Sequence, residues 1–174
     1  MRVFFALLPD ENTKAKLIRK MRQIEQSGYV GRFTLRDNLH VTVEFIGEVE
    51  PATLSTLETV LEGIQHKPMT VQTDHFGFFQ TKGSNAVLAL HLVNQEDLSN
   101  LNALLRAALL EVGIPFQDRP YSPHLTLARH FIKDDFDVSE PFRLTMTFSK
   151  LSLMESKQSG GVLTYIERKS IAFE

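Results

Sequence analysis

His40 and His124 each open the same four-residue phrase, His-Val-Thr-Val at 40–43 and His-Leu-Thr-Leu at 124–127, in a chain with six histidines and no cysteine. An imidazole changes charge near neutral pH, so two of them brought together can share the roles of proton donor and proton acceptor in a phosphoryl transfer without a metal. Side chains alternate faces along a strand. His40 and Thr42 therefore point one way while Val41 and Val43 point the other, and His124 with Thr126 repeats the arrangement. Each phrase offers a proton carrier beside a hydroxyl. A lone His-x-Thr is also what a strand shows when two polar residues simply face solvent. Two copies in matching surroundings weigh against that plainer reading.

The surroundings match through one offset. A shift of 84 carries His40 to His124, Thr42 to Thr126, Val3 to Val87 and Asp10 to Asn94. Val3 to Leu8 is an apolar run, Asp10 is a good helix N-cap, and Leu17, Ile18, Met21 and Ile24 follow at helical spacing before Gly28. In the second copy Val87 to Val93 is apolar and Asn94 can cap. Leu98, Leu101, Leu105, Ala108 and Leu109 then keep helical spacing up to Gly113. Strand, helix, loop and His-x-Thr strand thus recur once, the pattern of a duplicated lobe and not of a solenoid with three or more short repeats.

Pro51 suits the first turn of another helix, whose stripe is Leu54, Leu57, Leu61 and Ile64 and which Lys67-Pro68 stops. Met69 to Phe79 alternates as a strand, and Gly83-Ser84-Asn85 turns it into Ala86 to Leu92 as a hairpin. Phe142 to Met154 alternates as one strand, and Gly160-Gly161 leads into a last strand from Val162 to Phe173. Leu35 to Asn38 and Gln117 to Pro123 are the loops that feed the two histidine strands. The expected fold class is α+β: two pseudo-symmetric lobes with mostly antiparallel sheets facing a central cleft and helices on the outer faces. No linker interrupts the pattern, so residues 1–174 are expected to form one bilobal domain, and a monomer.

Composition narrows the function. Forty-three per cent hydrophobic and 23% charged residues can build an ordinary globular core. The apolar runs fall far short of the roughly 20 residues that span a bilayer, so no membrane role is expected. Arg2 to Leu8 lacks the length and cleavage site of a signal peptide, which makes the cytoplasm the expected location. Without cysteine there is no disulfide, no thiolate-bound zinc and no thiol nucleophile. A net charge of −2 exerts no global pull on nucleic acid, so an RNA partner needs a local basic patch or a recognised end. Lys14, Lys16, Arg19, Lys20 and Arg22 read as the solvated face of the first helix. Arg32 and Arg36, just before His40, are better placed to meet a phosphate.

The remaining histidines read as structural: His75 and His91 half-buried, His66 at a helix end, and His130 with no counterpart in the first half. A zinc hydrolase needs three protein ligands, whereas each His-x-Thr supplies one. Phe33, Phe78, Phe79 and Tyr121 have rings that could stack on a base, but with 13 phenylalanines core packing is the commoner use, and none is assigned that role.

Two longer segments carry a family resemblance. Asn38-Leu39-His40-Val41-Thr42-Val43-Glu44-Phe45-Ile46-Gly47-Glu48 and Tyr121-Ser122-Pro123-His124-Leu125-Thr126-Leu127-Ala128-Arg129 resemble the paired motifs of the two-histidine phosphoesterases. The likeness is specifically to the bacterial and archaeal RNA 2′,3′-cyclic phosphodiesterases once named 2′-5′ RNA ligases. Phe4-Phe5-Ala6-Leu7 and Met154-Glu155-Ser156 are also similar to that pattern, so the resemblance covers nearly the whole chain. It implies two pseudo-symmetric lobes about a cleft, no metal and no cofactor, and as partners RNA with 2′,3′-cyclic phosphate ends or cyclic nucleotides. By the same resemblance His40 donates a proton to the 3′ oxygen and His124 accepts one from water, leaving a 2′-phosphomonoester. Thr42 and Thr126 would bind the nonbridging oxygens, and Arg129 would clamp the same phosphate.

Arg129 does not fit a regular strand, since it lies an odd five residues from His124 and should face the other way. Either the strand bulges or ends there, or Arg129 serves another part of the site. Two other functions are kept open. One is a ligase joining a cyclic end to a 5′-hydroxyl by the reverse reaction, and the other a noncatalytic RNA-end binding protein, which need not keep both proton carriers.

Overall fold

The computed structural model describes residues 1–174, and its elements alternate much as the apolar periodicity predicts. In chain order they are β1 (Arg2–Leu7), α1 (Glu11–Gln26), β2 (Arg32–Phe33), a 3₁₀ turn (Arg36–Asn38), β3 (Val41–Glu48), α2 (Pro51–Glu62), β4 (Met69–Lys82) and β5 (Asn85–Val93). There follow α3 (Glu96–Glu111), β6 (His124–Ile132), β7 (Thr145–Phe148), β8 (Lys150–Ser159) and β9 (Val162–Ala172). The fold is α+β, with every strand pairing antiparallel. No helix is long and apolar enough to cross a membrane.

Where two sheets were expected there is one, in the order β7-β4-β5-β6-β3-β1-β8-β9, with β2 on the side of β6. Four strands lie on each side of the β6–β3 junction, and the two histidine strands are the innermost pair. That junction is a single pair of residues, Val41 opposite Leu125. So short a ladder lets the halves splay apart, which opens a cleft while keeping the sheet formally continuous.

The sheet has an oily face and a cleft face. Val3, Phe5 and Leu7 of β1, Val41 and Val43 of β3, and Leu125 and Leu127 of β6 share one buried cluster with Leu17, Met21 and Ile24 of α1. Leu57 and Leu61 of α2 and Leu101 and Leu105 of α3 belong to the same cluster. All three helices cover that face, and the alternating positions between are left for the cleft. There Phe4, Ala6 and Met154 make a small separate cluster with Phe45 and Tyr165 beside His40.

Helix α1 starts as predicted, with the Asp10 carboxylate accepting the Thr13 N–H at 2.7 Å. Helix α3 does not use Asn94 as its cap. Asn94 is left-handed at φ +59°, a conformation asparagine tolerates, and turns the chain out of β5 so that Gln95 holds the cap position. The run from Phe142 to Met154 is likewise not one strand. It breaks at Ser149, with β7 pairing with β4 in one half and β8 pairing with β1 and β9 in the other. Alternation sees only which face a residue takes, and the partner strand changes without disturbing it.

The halves also exchange their helices. Although α1 follows β1, its Lys20 ammonium lies 5.8 Å from the ring of Phe76 on β4 and pairs with Glu140 at 3.2 Å. Although α3 follows β5, Asn102 on it donates to the carbonyl of Val43 on β3 at 2.7 Å. Each side of the sheet also takes strands from both parts of the chain, since β4 pairs with β5 and β8 pairs with β1. We therefore expect residues 1–84 and 85–174, expressed separately, to lack a cooperative unfolding transition and dispersed amide NMR signals, and a mixture of the two to recover both.

Candidate active site

His124 opens β6 and His40 immediately precedes β3. Since Val41 faces Leu125, extending the antiparallel register by one residue each way sets His40 opposite Thr126 and Thr42 opposite His124. Thr126 lines the same cavity as His40, and the Thr42 hydroxyl bonds the His40 ring. The two rings are near enough that a charge on His124 disfavours one on His40.

Both rings are held in the same tautomer. The Nδ1 of His40 lies 2.7 Å from the carbonyl of Asn38, and that of His124 lies 2.9 Å from the carbonyl of Ser122. A carbonyl only accepts, so Nδ1 carries the hydrogen and Nε2 is left for chemistry. The Nε2 of His40 lies 2.9 Å from Oγ1 of Thr42, and in the neutral ring it accepts the threonine hydroxyl's hydrogen. The Nε2 of His124 and the hydroxyl of Thr126 have no hydrogen-bond partner in the protein and are free to meet a ligand.

Both imidazoles resist charging. Burial is the main cause for His40, opposed by the Asn38 carbonyl and reinforced by Arg129 and His124, and its pKa falls to about 4. His124 is also lowered, first by burial and then by Arg129 and Arg119, against the Ser122 carbonyl. The site is therefore a cleft with arginine charge in which a proton on either imidazole is disfavoured. An anion bound there would offset the arginine charge and let one ring take a proton.

Arg129 reaches the cleft because β6 is irregular. Its register against β5 jumps from Ala89–Thr126 to Leu88–Ala128, so Leu127 is an extra residue that shifts the alternation by one. His130, next to Arg129, is left-handed at φ +51°. The first half has the same irregularity at Val43, where Phe5–Glu44 is followed by Ala6–Thr42. Val43 and Leu127 are related by the offset of 84, and at the position matching Arg129 the first half has Phe45.

A cavity of about 230 Å³ opens beside His40, lined by Thr126, Arg129 and Arg32, by Phe33 and Leu35, and by Gly161 of the β8–β9 turn with Val162, Leu163 and Tyr165 at the start of β9. Of the two arginines before His40, Arg32 is in this wall. Arg36 is not, and pairs with Glu11 at 3.0 Å.

Asn38 and Tyr165 were not singled out from the sequence. Asn38 donates to the Leu163 carbonyl at 2.8 Å and accepts the Tyr165 N–H at 3.1 Å, which fastens the cavity wall to the backbone that holds His40. The Tyr165 ring meets His40 edge to face, with centroids 5.1 Å apart. Only the position of Asn38, two residues before the histidine, was a signal, and Tyr165 had none.

The loop that feeds His124 is tied to β3 by charge. Arg106 of α3 bonds the buried Glu44 carboxylate at 2.7 Å and the carbonyls of Arg119 and Gln117 at 2.9 and 3.4 Å. The Tyr121 hydroxyl donates to the Thr42 carbonyl at 2.7 Å. No three His, Asp or Glu side chains converge as a metal would need.

The fold and the paired histidines at the junction define a class, and the sequence agrees. Residues 9–159 match the model of the 2′-5′ RNA ligase superfamily, and the chain belongs to that family. It is 29% identical over 133 residues to the RNA 2′,3′-cyclic phosphodiesterase of Thermotoga maritima, a match covering 74% of this chain and 70% of the relative. The apo structure of E. coli LigT superposes with a TM-score of 0.86 at 24% identity, over 99% of this chain and 96% of that one, which establishes the fold. The structure of E. coli LigT complexed with 3′-AMP gives 0.83 at 25% identity, over 99% and 97%.

Two measurements follow. Replacing Arg106 by Met leaves the buried Glu44 carboxylate with only the Asn102 amide as its partner and should cost about 3 kcal/mol in urea unfolding at neutral pH. For His40, the unfolded ring takes a proton near pH ~6.5 and the folded one only near 4. Stability is therefore present above that window and falls as pH is lowered through it. The wild type should lose up to about 3 kcal/mol more than His40→Asn between pH ~7 and ~4, read by denaturant unfolding at several pH values.

Proposed function

We propose that the chain is an RNA 2′,3′-cyclic phosphodiesterase that opens a terminal cyclic phosphate to a 2′-phosphomonoester, with His40 as general acid and His124 as general base. The observation that carries the assignment is the cavity on the His40 side. Opening the ring by in-line attack puts the entering water and the departing oxygen on opposite sides of phosphorus. The departing 3′ oxygen belongs to the nucleoside, so the nucleoside must lie on the acid's side. The cavity beside His40, with Phe33, Leu35, Val162, Leu163 and Tyr165 in its wall, has room for a sugar and base. No part of that wall comes from His124, whose Nε2 is left to water.

The rest of the site suits the same reaction. Water gives its proton to Nε2 of His124 as its oxygen bonds to phosphorus, and Nε2 of His40 gives a proton to the 3′ oxygen as that bond breaks. His40 enters the cycle protonated once the substrate's negative charge offsets Arg129. Thr126 and Arg129 face the nonbridging oxygens, and Thr42 joins them when its hydroxyl leaves the protonated ring. The name of the Thermotoga relative and the nucleotide held by E. coli LigT support a nucleotide-phosphate ligand. The shared offset of the bulges at Val43 and Leu127 supports reading the two halves of one domain as a duplication.

A short RNA ending in a 2′,3′-cyclic phosphate should be converted to the 2′-phosphate at an undiminished rate in excess chelator. His40→Ala and His124→Ala should each lose about 10²-fold or more while keeping the wild-type circular dichroism spectrum. Chromatography of the products and the pH dependence of kcat check this. A 3′-phosphate product, a metal requirement or near-normal turnover in either variant would remove the assignment, and joined RNA in excess of opened ends would make the protein a ligase.

A further inference from the structure

The two imidazoles differ most in the rings beside them. His40 meets Tyr165 at 90° and Phe4 at 43°, both with centroids 5.1 Å away. His124 instead lies nearly parallel to Phe79 of β4, with centroids 4.5 Å apart and 17° between planes. Phe79 is backed by His91 at 5.3 Å, and His91 stacks on His75 at 4.6 Å and 24°. His75 in turn holds the Asp74 carboxylate at 3.0 Å.

The sequence is adapted to this column of rings. His91 is the direct cross-strand partner of His124, so the two side chains share a face and Phe79 fills the space over them. A Cβ at position 77 would lie 2.3 Å from Nε2 of His91, so only glycine leaves the imidazole its place behind Phe79. The ring of Phe79 is thus supported from behind and its plane is set.

We propose that Phe79 is a positioning residue for the base, its ring face fixing the plane of His124 and stabilising the imidazolium formed when His124 takes the proton of the attacking water. The inference rests on His124 being the base. The charged groups around that ring are Arg129 further along β6, Arg119 in the preceding loop and, when protonated, His91 on β5 and His40 before β3. All of them oppose a second positive charge. The Ser122 carbonyl favours it at Nδ1. The other favourable partner is the negative face of the phenyl ring, which attracts a cation stacked on it. Water's proton comes to rest on Nε2 while Nδ1–H stays on the Ser122 carbonyl, so the ring need not turn.

Two variants and two readouts test this. Phe79→Leu keeps an apolar side chain of similar volume but removes the π face. It should lower kcat by about 3- to 10-fold with KM within about twofold, and should move the NMR titration of His124 to lower pH. Stepwise fluorination of the Phe79 ring drains the face of negative potential with little change of shape. It should reduce kcat progressively, and it keeps the test open if the leucine variant folds poorly. A kcat and a His124 titration indifferent to fluorination would overturn the proposal, as would a loss confined to KM. The titration needs no substrate, and hydrolysis by the unmodified protein together with its loss in His124→Ala checks the base assignment separately.

Discussion

One residue pair carries the architecture of the site. Val41 and Leu125 are the only partners between β3 and β6, and around them two strands far apart in sequence turn their histidines toward the same cleft. Had the ladder run further, the strands would have lain flat and the histidines would sit on an open sheet surface. With no pairing at all, nothing would set their spacing. A single contact, with one continuous buried face behind it, gives both a cleft and a defined separation.

What surrounds that contact follows from the same need to hold two strands at a fixed angle. The ion pair of Glu44 and Arg106, the carbonyls that Arg106 gathers and the hydroxyl of Tyr121 all join the loop before His124 to β3. These are polar bonds across the joint between halves, where slippage would change the distance between the two imidazoles. The exchange of helices serves the same end, since neither half can complete its apolar face without the other.

The electrostatics of the cleft are set against positive charge on its imidazoles. Burial and the arginines disfavour a proton on either ring. In the proposed reaction, binding and activation are linked, because the negative charge of a phosphate offsets the arginines and favours a proton on the acid. The two halves are used asymmetrically. Arg129 occupies the position where the first half has Phe45, and the cavity lies beside one histidine while a phenyl ring lies against the other.

The order of strands and helices, the antiparallel α+β class and the two repeated phrases were legible in the sequence. Periodicity and the offset of 84 are properties of residues near one another in the chain or in equivalent copies of it. The pairing of the halves was not legible, because alternation reports which face a residue takes and is silent about its partner. For that reason the run from Phe142 to Met154 gave no sign that it changes halves at Ser149. The odd spacing of Arg129 announced a bulge or a different role, but only the register with β5 decided between them. Tyr165 and Phe79 reached the histidines through contacts that exist only once the strands are assembled, and so did the ties of Asn38 to Leu163 and Tyr165. The sequence by itself determined which chemistry was on offer, since that depends on residue type and local spacing. Tertiary structure decided which groups meet, how far each ring is desolvated and where a cavity opens, because those depend on distances that local spacing does not encode.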